Sequence, residues 1–507
     1  MLSMAVRNTN KLIREHSREE KIRLGRFFTK RDTAALMAGM PDLPDTPTVR
    51  VLDPGAGTGI LSAAIIERLC QSGTCKEIRL TCYENDVRFL PRLRDNLERL
   101  RRRCRRFYKV RLAANVLEEN YILAGRENYT ISLYSKEAEV YDLILMNPPT
   151  ELLPQNSPEM MCVTDLFGGA TDLCYLFLAM AESSLAPGGQ LVALLPTVFA
   201  TSPQLSKLRN FLFSQNTPTH LHLFTTGNTA KPLKKNMVLC LRHTPPQKSD
   251  ALLMSSSSDA GTPGKTVKLE PLPVSFVLRG TDRTLLLMYD PAELQIFLYM
   301  SSLKNSFPKM KLRMRTGLTL VSRYRNCLFD APEQGLIPLL YPACLCEGRV
   351  SFPVTEKGTR TPLPGQYLSP AIPSLMQKNR NMLLIKRVPA RCDKRRLVCG
   401  VYLASQLTPY KMISTHNKLN YIDREGEEMD ASLLFGLHCF LSSGVCDLYI
   451  RILSKSSQVN ARELSDLPLP ESEILRRLGA RLISAQVYPP EYCDRVIHEI
   501  LHISVRR

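Results

Sequence analysis

At 507 residues the chain exceeds what one ordinary hydrophobic core supports, so two or three domains are expected. An apolar content of 44% and a charged content of 23% are those of a soluble globular protein and exclude a disordered or fibrous chain. The formal charge of +19 favours a polyanionic partner, either nucleic acid or an anionic membrane surface.

The N-terminal stretch MLSMAVRNTNKLIREHSREEK lacks the apolar core of a secretory signal and predicts an amphipathic helix packed on the adjacent domain. From about Val49 to Arg242, short apolar runs alternate with helical patterns. VRVLDPG, EIRLTCYE, YKVRLAANVL, YDLILMNPP and GGQLVALLP read as strands; ILSAAIIERLCQ, VRFLPRLRDNLERLRRR and DLCYLFLAMAESSLA read as helices. Such alternation predicts an α/β fold, a mostly parallel sheet with helices on both faces that binds ligands outside the carboxyl ends of its strands. The run LVALLPTVFA is well short of the ~20 residues that span a bilayer and contains a proline, so no membrane partner is expected.

Within this region the basic run from Arg88 to Arg111 carries much of the positive charge; it reads either as a solvated helix face or as a nucleic-acid contact. Further basic clusters at KMKLRMRTGLTLVSRYR and RCDKRR tilt the balance towards nucleic acid. Residues 246–271, rich in Ser, Pro and Gly, predict a linker or mobile loop between a domain at 1–245 and a second at 272–507. The second region has no regular alternation, but PAELQIFLYMSSLKN and ASLLFGLHCFLSS read as helices and NMLLIKRV and RRLVCGVYL as strands. The cysteines are scattered, with no paired C-x-x-C array of metal-ligand spacing, so they read as reduced thiols of a cytoplasmic protein and no metal is expected.

In VLDPGAGTG, Gly55, Gly57 and Gly59 lie between a strand and a helix, where the chain turns tightly and lets a ligand touch backbone. The spacing is D-x-G-x-G-x-G, not G-x-G-x-x-G. Asp53 at the strand end repels a pyrophosphate and suits a cationic or amino-acid-like ligand. Glu84, followed by Asn85, ends the next strand, where a carboxylate accepts both hydroxyls of a ribose. Asp53, Pro54, the glycines and Glu84 together resemble the S-adenosylmethionine (SAM) site of Rossmann-like methyltransferases. Upstream, Phe28 and Thr29 resemble the FTP segment of adenine methyltransferases, which closes over the methionine part of SAM; Lys30 replaces its proline.

Asn147-Pro148-Pro149 ends the fourth strand. The Asn147 side-chain oxygen and the Pro148 carbonyl can both accept from one exocyclic amine. Two acceptors push the nitrogen towards tetrahedral geometry and free its lone pair for attack on a sulfonium methyl, so catalysis rests on orientation and electrostatics. A base within a duplex reaches such a pocket only when flipped out. The aromatic that follows in NPPY or NPPF is here Thr150. Base stacking is worth roughly 1–3 kcal/mol, so its loss weakens target capture by about ten- to a hundredfold.

The order FFT, DPGAGTG, NPPT and then a C-terminal recognition region resembles the gamma-class N6-adenine DNA methyltransferases of type II restriction–modification systems, in particular the PstI/BsuBI-like group. That resemblance implies a Rossmann-like SAM-dependent methyltransferase domain followed by a C-terminal α+β target-recognition domain. It implies methyl transfer to N6 of a flipped-out adenine in duplex DNA, as the modification part of a restriction–modification or related defence system, with a cognate restriction endonuclease or defence-system subunit as partner. Asn115 stands where many relatives carry an Asp that contacts the adenine ring of SAM. In the second region Arg315, Arg323, Arg325, Lys386 and Arg387 suit guanine edges and phosphate, while Asn417, Asn420, Gln458 and Asn460 suit adenine. Thr150 and Asn115 depart from the family pattern and keep an alternative open: a catalytically impaired pseudo-methyltransferase that serves as a DNA-recognition or scaffolding subunit. Methylation of RNA or of a protein amide is the third reading.

Overall fold

The computed structural model describes residues 1–15, 28–134, 139–225, 236–258, 266–355, 365–390, 393, 395–453, 459 and 461–503. The chain divides into two compact units, Met1–Asp290 and Pro291–Arg507.

The first unit is built on β1 (Thr48–Pro54), β2 (Glu77–Tyr83), β3 (Arg111–Leu117), β4 (Tyr141–Met146), β5 (Leu185–Pro196), β6 (Thr217–Thr225), β7 (Asn236–Arg242) and β8 (Ala251–Ser258). Their order across the sheet is β8-β6-β7-β5-β4-β1-β2-β3. Among these eight only β7 runs against its neighbours, pairing antiparallel with β5 and β6; the short strands Val267–Lys268 and Leu272–Pro273 pair antiparallel with β8. The predicted mostly parallel α/β sheet is therefore present. Its central strands are continuous apolar runs because both faces are covered: Val49, Val51 and Leu52 of β1, and Leu143, Ile144 and Leu145 of β4, are at most 1% exposed. The order reverses between β1, which leads outward to β2 and β3, and β4, which leads outward to β5. The carboxyl ends of β1 and β4 thus flank the crevice where such sheets bind ligands.

The unit's longer helices include α1 (Leu2–Arg14), α2 (Arg31–Gly39), α3 (Ile60–Ser72), α4 (Leu90–Arg103), α5 (Leu173–Glu182) and α6 (Ser206–Gln215). As expected, α1 is amphipathic and packs on its own domain, burying Leu2, Ala5 and Leu12. Its polar residues also reach inward. Asn8 Nδ2 donates to Asn96 Oδ1 at 2.7 Å, and the hydroxyls of Thr9 and Thr58 lie 2.6 Å apart. The predicted third strand begins later than expected, because Cys104–Tyr108 extends α4 as a π-helical turn that ends with Lys109 at φ +58°.

The predicted linker at 246–271 is corrected by β8. Ala251–Ser258 pairs in parallel with β6, and the units divide at Asp290 rather than within the Ser-rich stretch. Composition misleads here because the serine hydroxyls have partners. Ser255 Oγ lies 2.9 Å from His220 Nε2 and 2.8 Å from His222 Nδ1, and Ser257 Oγ lies 2.9 Å from His222 Nε2. Leu252 and Met254, on the other face of the strand, are fully buried. Residues 259–265 of that stretch lie outside the described residues.

The second unit is α+β, as the resemblance implied. One sheet has Leu312–Thr316, Leu419–Arg424, Met382–Lys386 and Cys399–Tyr402 as consecutive strands; another includes Ile337–Leu340 and Met412–Thr415. Helices Ala431–Leu441 and Ser472–Ala485 touch through glycines. A Cβ on Gly436 would sit 1.9 Å from the Leu475 carbonyl oxygen, and one on Gly479 would sit 1.8 Å from that of Ser432. Among the described residues no single helix is long and apolar enough to cross a membrane.

Candidate cofactor and target-amine site

β1 and β4 pair in parallel at Val51↔Leu143 and Leu52↔Ile144 and end at Pro54 and Met146. The glycine turn and the Asn-Pro-Pro motif therefore leave the sheet side by side on its carboxyl edge.

The turn is held from β2. The N–H groups of Gly55 and Ala56 both donate to the Tyr83 carbonyl at 2.9 Å. Gly55, Gly57 and Gly59 have φ of +75°, +56° and +80°, a region that L side chains rarely adopt. A Cβ on Gly55 would meet Phe177 Cε1 at 3.3 Å, and one on Gly59 would meet Leu93 Cδ1 at 2.9 Å. Only glycine keeps this backbone bare.

Glu84 is 8% exposed, and both its oxygens accept from backbone: Oε2 from Gly57 N–H at 2.7 Å and Oε1 from Asp86 N–H at 2.8 Å. Burial pushes its pKa up, while the amides of Asp86 and Gly57 pull it down. A carboxylate has about four acceptor sites, so each oxygen keeps capacity for another donor. Asn85, beside it, is exposed.

Asp53 is 2% exposed, and its Oδ2 accepts from Ser62 twice, from N–H at 3.1 Å and from Oγ at 2.5 Å. Ser62 is in the first turn of α3, whose N-cap, Gly59, has no side chain to offer. Asp53 caps this helix from the neighbouring strand, a role the sequence reading did not assign. Its Oδ1 has no hydrogen-bond partner among the described residues. Burial pushes the Asp53 pKa up to about 6; the two bonds from Ser62 oppose the shift and the nearby Glu84 adds to it. Pro54 is buried behind it.

Phe28 and Thr29 contact different segments. The Phe28 ring packs edge-on to Phe89, 5.0 Å between centroids, and its Cε1 lies 3.4 Å from where a Gly57 Cβ would be. Thr29 Oγ1 instead accepts from Asn147 Nδ2 at 3.0 Å. That bond, across 118 residues of sequence, turns the amide so that Oδ1 points away from Thr29. Pro148 is buried, Pro149 half-buried and Thr150 exposed. Asn115 is exposed on β3, opposite Thr81 and two residues before the strand ends, with no hydrogen bond to the glycine turn or Glu84 among the described residues.

In the second unit the candidate DNA contacts separate. Arg323 and Arg325 are exposed, Arg323 over the Tyr324 ring at 5.7 Å. Arg315 is exposed and stands opposite Tyr421 on the neighbouring strand. Lys386 pairs with Asp393 at 3.4 Å, and Arg387 Nη1 donates to the Asn417 carbonyl at 3.0 Å, so both hold loops. Asn417 is half-buried. Asn420 does not fit the expected role: it is 0% exposed, its Nδ2 donates to the Val459 carbonyl at 2.9 Å, and its Oδ1 accepts from Thr316 Oγ1 at 3.2 Å. It faces the inside of its strand, which removes it from the DNA contacts. Gln458 and Asn460 lie outside the described residues.

No protein-family model matches the chain. It is 26% identical over 488 residues, 96% of this chain and 93% of the relative, to the type II methyltransferase M.PstI of Providencia stuartii. It is 23% identical over 481 residues, 92% of this chain and 91% of the relative, to the type II methyltransferase M.BsuBI of Bacillus subtilis. Among solved structures, the type IIG restriction endonuclease BpuSI aligns with a TM-score of 0.47 at 12% identity, over 94% of this chain and 65% of that one. The similarity expected from the motif order is therefore found across nearly the whole chain: it resembles the type II methyltransferases of restriction–modification systems.

Proposed function

We propose that the protein is a SAM-dependent DNA methyltransferase acting on N6 of an adenine flipped out of the duplex, with the second unit as its target-recognition domain. The observation that carries this reading is the Asn147 amide held by Thr29 beside the glycine turn, on one edge of adjacent strands. The residues fit SAM: a bare backbone at Gly55–Gly59, an acceptor for ribose hydroxyls in Glu84, and a buried acid, Asp53, suited to a cationic ligand. When bound, SAM supplies an electrophilic sulfonium methyl. Asn147 Oδ1 and the Pro148 carbonyl would hold the amine's two N–H bonds and orient its lone pair towards that methyl; the S–C electron pair would stay on the departing thioether as the N–C bond forms, and the surplus amine proton would pass to water. Donors and acceptors fixed before the reaction incur no reorganisation during it.

The similarity to M.PstI and M.BsuBI supports a cytoplasmic modification enzyme with a cognate restriction endonuclease or defence-system subunit as partner. The exposed Thr150, where NPPY or NPPF would supply a ring, favours the second reading, a DNA-recognition subunit with impaired turnover. Incubation with tritiated SAM and duplex DNA separates them. The proposal expects label in N6-methyladenine, lowered by about a hundredfold or more in Asn147→Ala with SAM binding retained. Tight DNA binding and SAM binding without label would establish the second reading, and label in RNA alone would overturn the DNA assignment.

A further inference from the structure

The basic run that follows β2 resolves into two parts. Along α4 the charges are answered: Arg92 pairs with Glu15 at 3.0 Å, Arg99 with Asp95 at 2.9 Å, and Arg101 and Arg102 both with Glu98 at 2.9 and 3.0 Å. This is a solvated helix face. The π-helical turn that closes the helix differs. Arg103, Arg105, Arg106 and Lys109 are exposed and make no ion pair among the described residues. Between them Phe107 is 61% exposed and Tyr108 38% exposed. The guanidinium carbons of Arg106 and Arg103 lie 5.3 and 6.0 Å from the Phe107 ring centre, within reach of a cation–π attraction. Cys104 stays fully buried, so the widened turn is anchored while the next five residues project.

We propose that this turn is a second nucleic-acid contact, one that takes an unpaired strand. Arg105, Arg106 and Lys109, joined by Arg103 at the end of α4, whose charge also acts on Glu67, suit a phosphate backbone, and an exposed ring flanked by guanidinium groups suits stacking on a base. Duplex bases are already stacked on one another, so a duplex would leave both rings idle; the rings are what select a single strand over a duplex. The position makes it separate from the proposed transfer site. The turn leads into the amino end of β3, and β1 to β4 are parallel, so it lies on the sheet edge opposite Gly55 and Asn147. A seven-residue strand sets the two edges roughly 20 Å apart. A strand held here does not compete with a base held there.

The probe is fluorescein-labelled oligothymidylate of about 16 nucleotides, which contains no adenine and forms no duplex, so the outcome is independent of the transfer reading. Anisotropy titrations across a salt series use the full chain and two exposed-site variants. The triple variant Arg103→Gln/Arg105→Gln/Arg106→Gln is expected to reduce the slope of log K against log salt by about 2, three phosphate contacts at roughly 0.7 each. Phe107→Ala is expected to weaken binding by about tenfold at fixed salt and to leave the slope unchanged. Neither variant should alter SAM binding or thermal unfolding of the protein. Wild-type affinity and slope in both variants would overturn the proposal. So would a loss seen with phosphatidylserine vesicles but not with oligothymidylate, which would assign the turn to an anionic membrane.

Discussion

Replacing Asp53 by Asn separates what the acid does for the fold from what it does for a ligand. Burial pushes its pKa from the ordinary 3.8 to about 6, against the pull of the two bonds from Ser62. That shift corresponds to about 3 kcal/mol by which ionisation is disfavoured in the folded chain relative to the unfolded one. Because the folded pKa is the raised one, the contribution of this group to stability is complete below pH 3.8 and is lost as the pH rises through 6. Asn carries no charge to desolvate and still offers Oδ1 to the N–H and hydroxyl of Ser62. The variant should therefore exceed wild type in stability by about 3 kcal/mol at neutral pH, with the difference shrinking towards zero near pH 4. Urea unfolding at acid and neutral pH measures this, provided the m-value is unchanged. Isothermal titration with SAM should show weaker binding, since a buried acid that destabilises the fold is suited to a cationic ligand. A variant less stable than wild type at both pH values would refute the electrostatic reasoning. Undiminished SAM affinity would remove Asp53 from the cofactor site.

Thr29→Val deletes the acceptor for Asn147 Nδ2 and keeps the volume; kcat should fall about tenfold, the value of a hydrogen bond to a group that needs it, while the KM for SAM stays level and Thr29→Ser restores the rate. A rise in KM with kcat unchanged would instead place Thr29 on the cofactor. Thr150→Tyr returns a ring to the motif and should tighten capture of a 2-aminopurine-labelled target duplex by about ten- to a hundredfold, read from its fluorescence. Gly436→Ala puts a methyl 1.9 Å from the Leu475 carbonyl oxygen and should destabilise the second unit by about 3 kcal/mol, seen as a lower urea midpoint for that unit's transition.

What could be read from the sequence follows from which forces are local. VRVLDPG and YDLILM announce central strands because both of their faces are buried, so the apolar run is unbroken. ALLMSSSS is also a strand, but its polarity is satisfied by His220 and His222 from another strand, a pairing no local pattern contains. Residue type misled in the same way at Asn420: an Asn that suits adenine also suits a buried carbonyl, and strand alternation turned it to Val459.

The candidate site residues are assigned from spacing and motif; how each divides its hydrogen bonds is visible only in the folded chain. Asp53 gives one oxygen to Ser62, Glu84 gives one acceptor site on each oxygen to Gly57 and Asp86, and Asn147 gives its amino group to Thr29. In every case one part of the group is tied to the fold, and for Asp53 and Glu84 acceptor capacity remains beyond those bonds. This division has a physical reason. A polar side chain on the edge of a sheet loses rotamer freedom when it binds a ligand, and a bond already made to the fold has removed that freedom beforehand. The same bonds explain why the acids tolerate burial and why Asn147 is held in one orientation. Ser62, Asp86 and Thr29 hold the proposed site residues in place, and on the proposed function substitutions there should lower turnover or affinity with the motif itself intact.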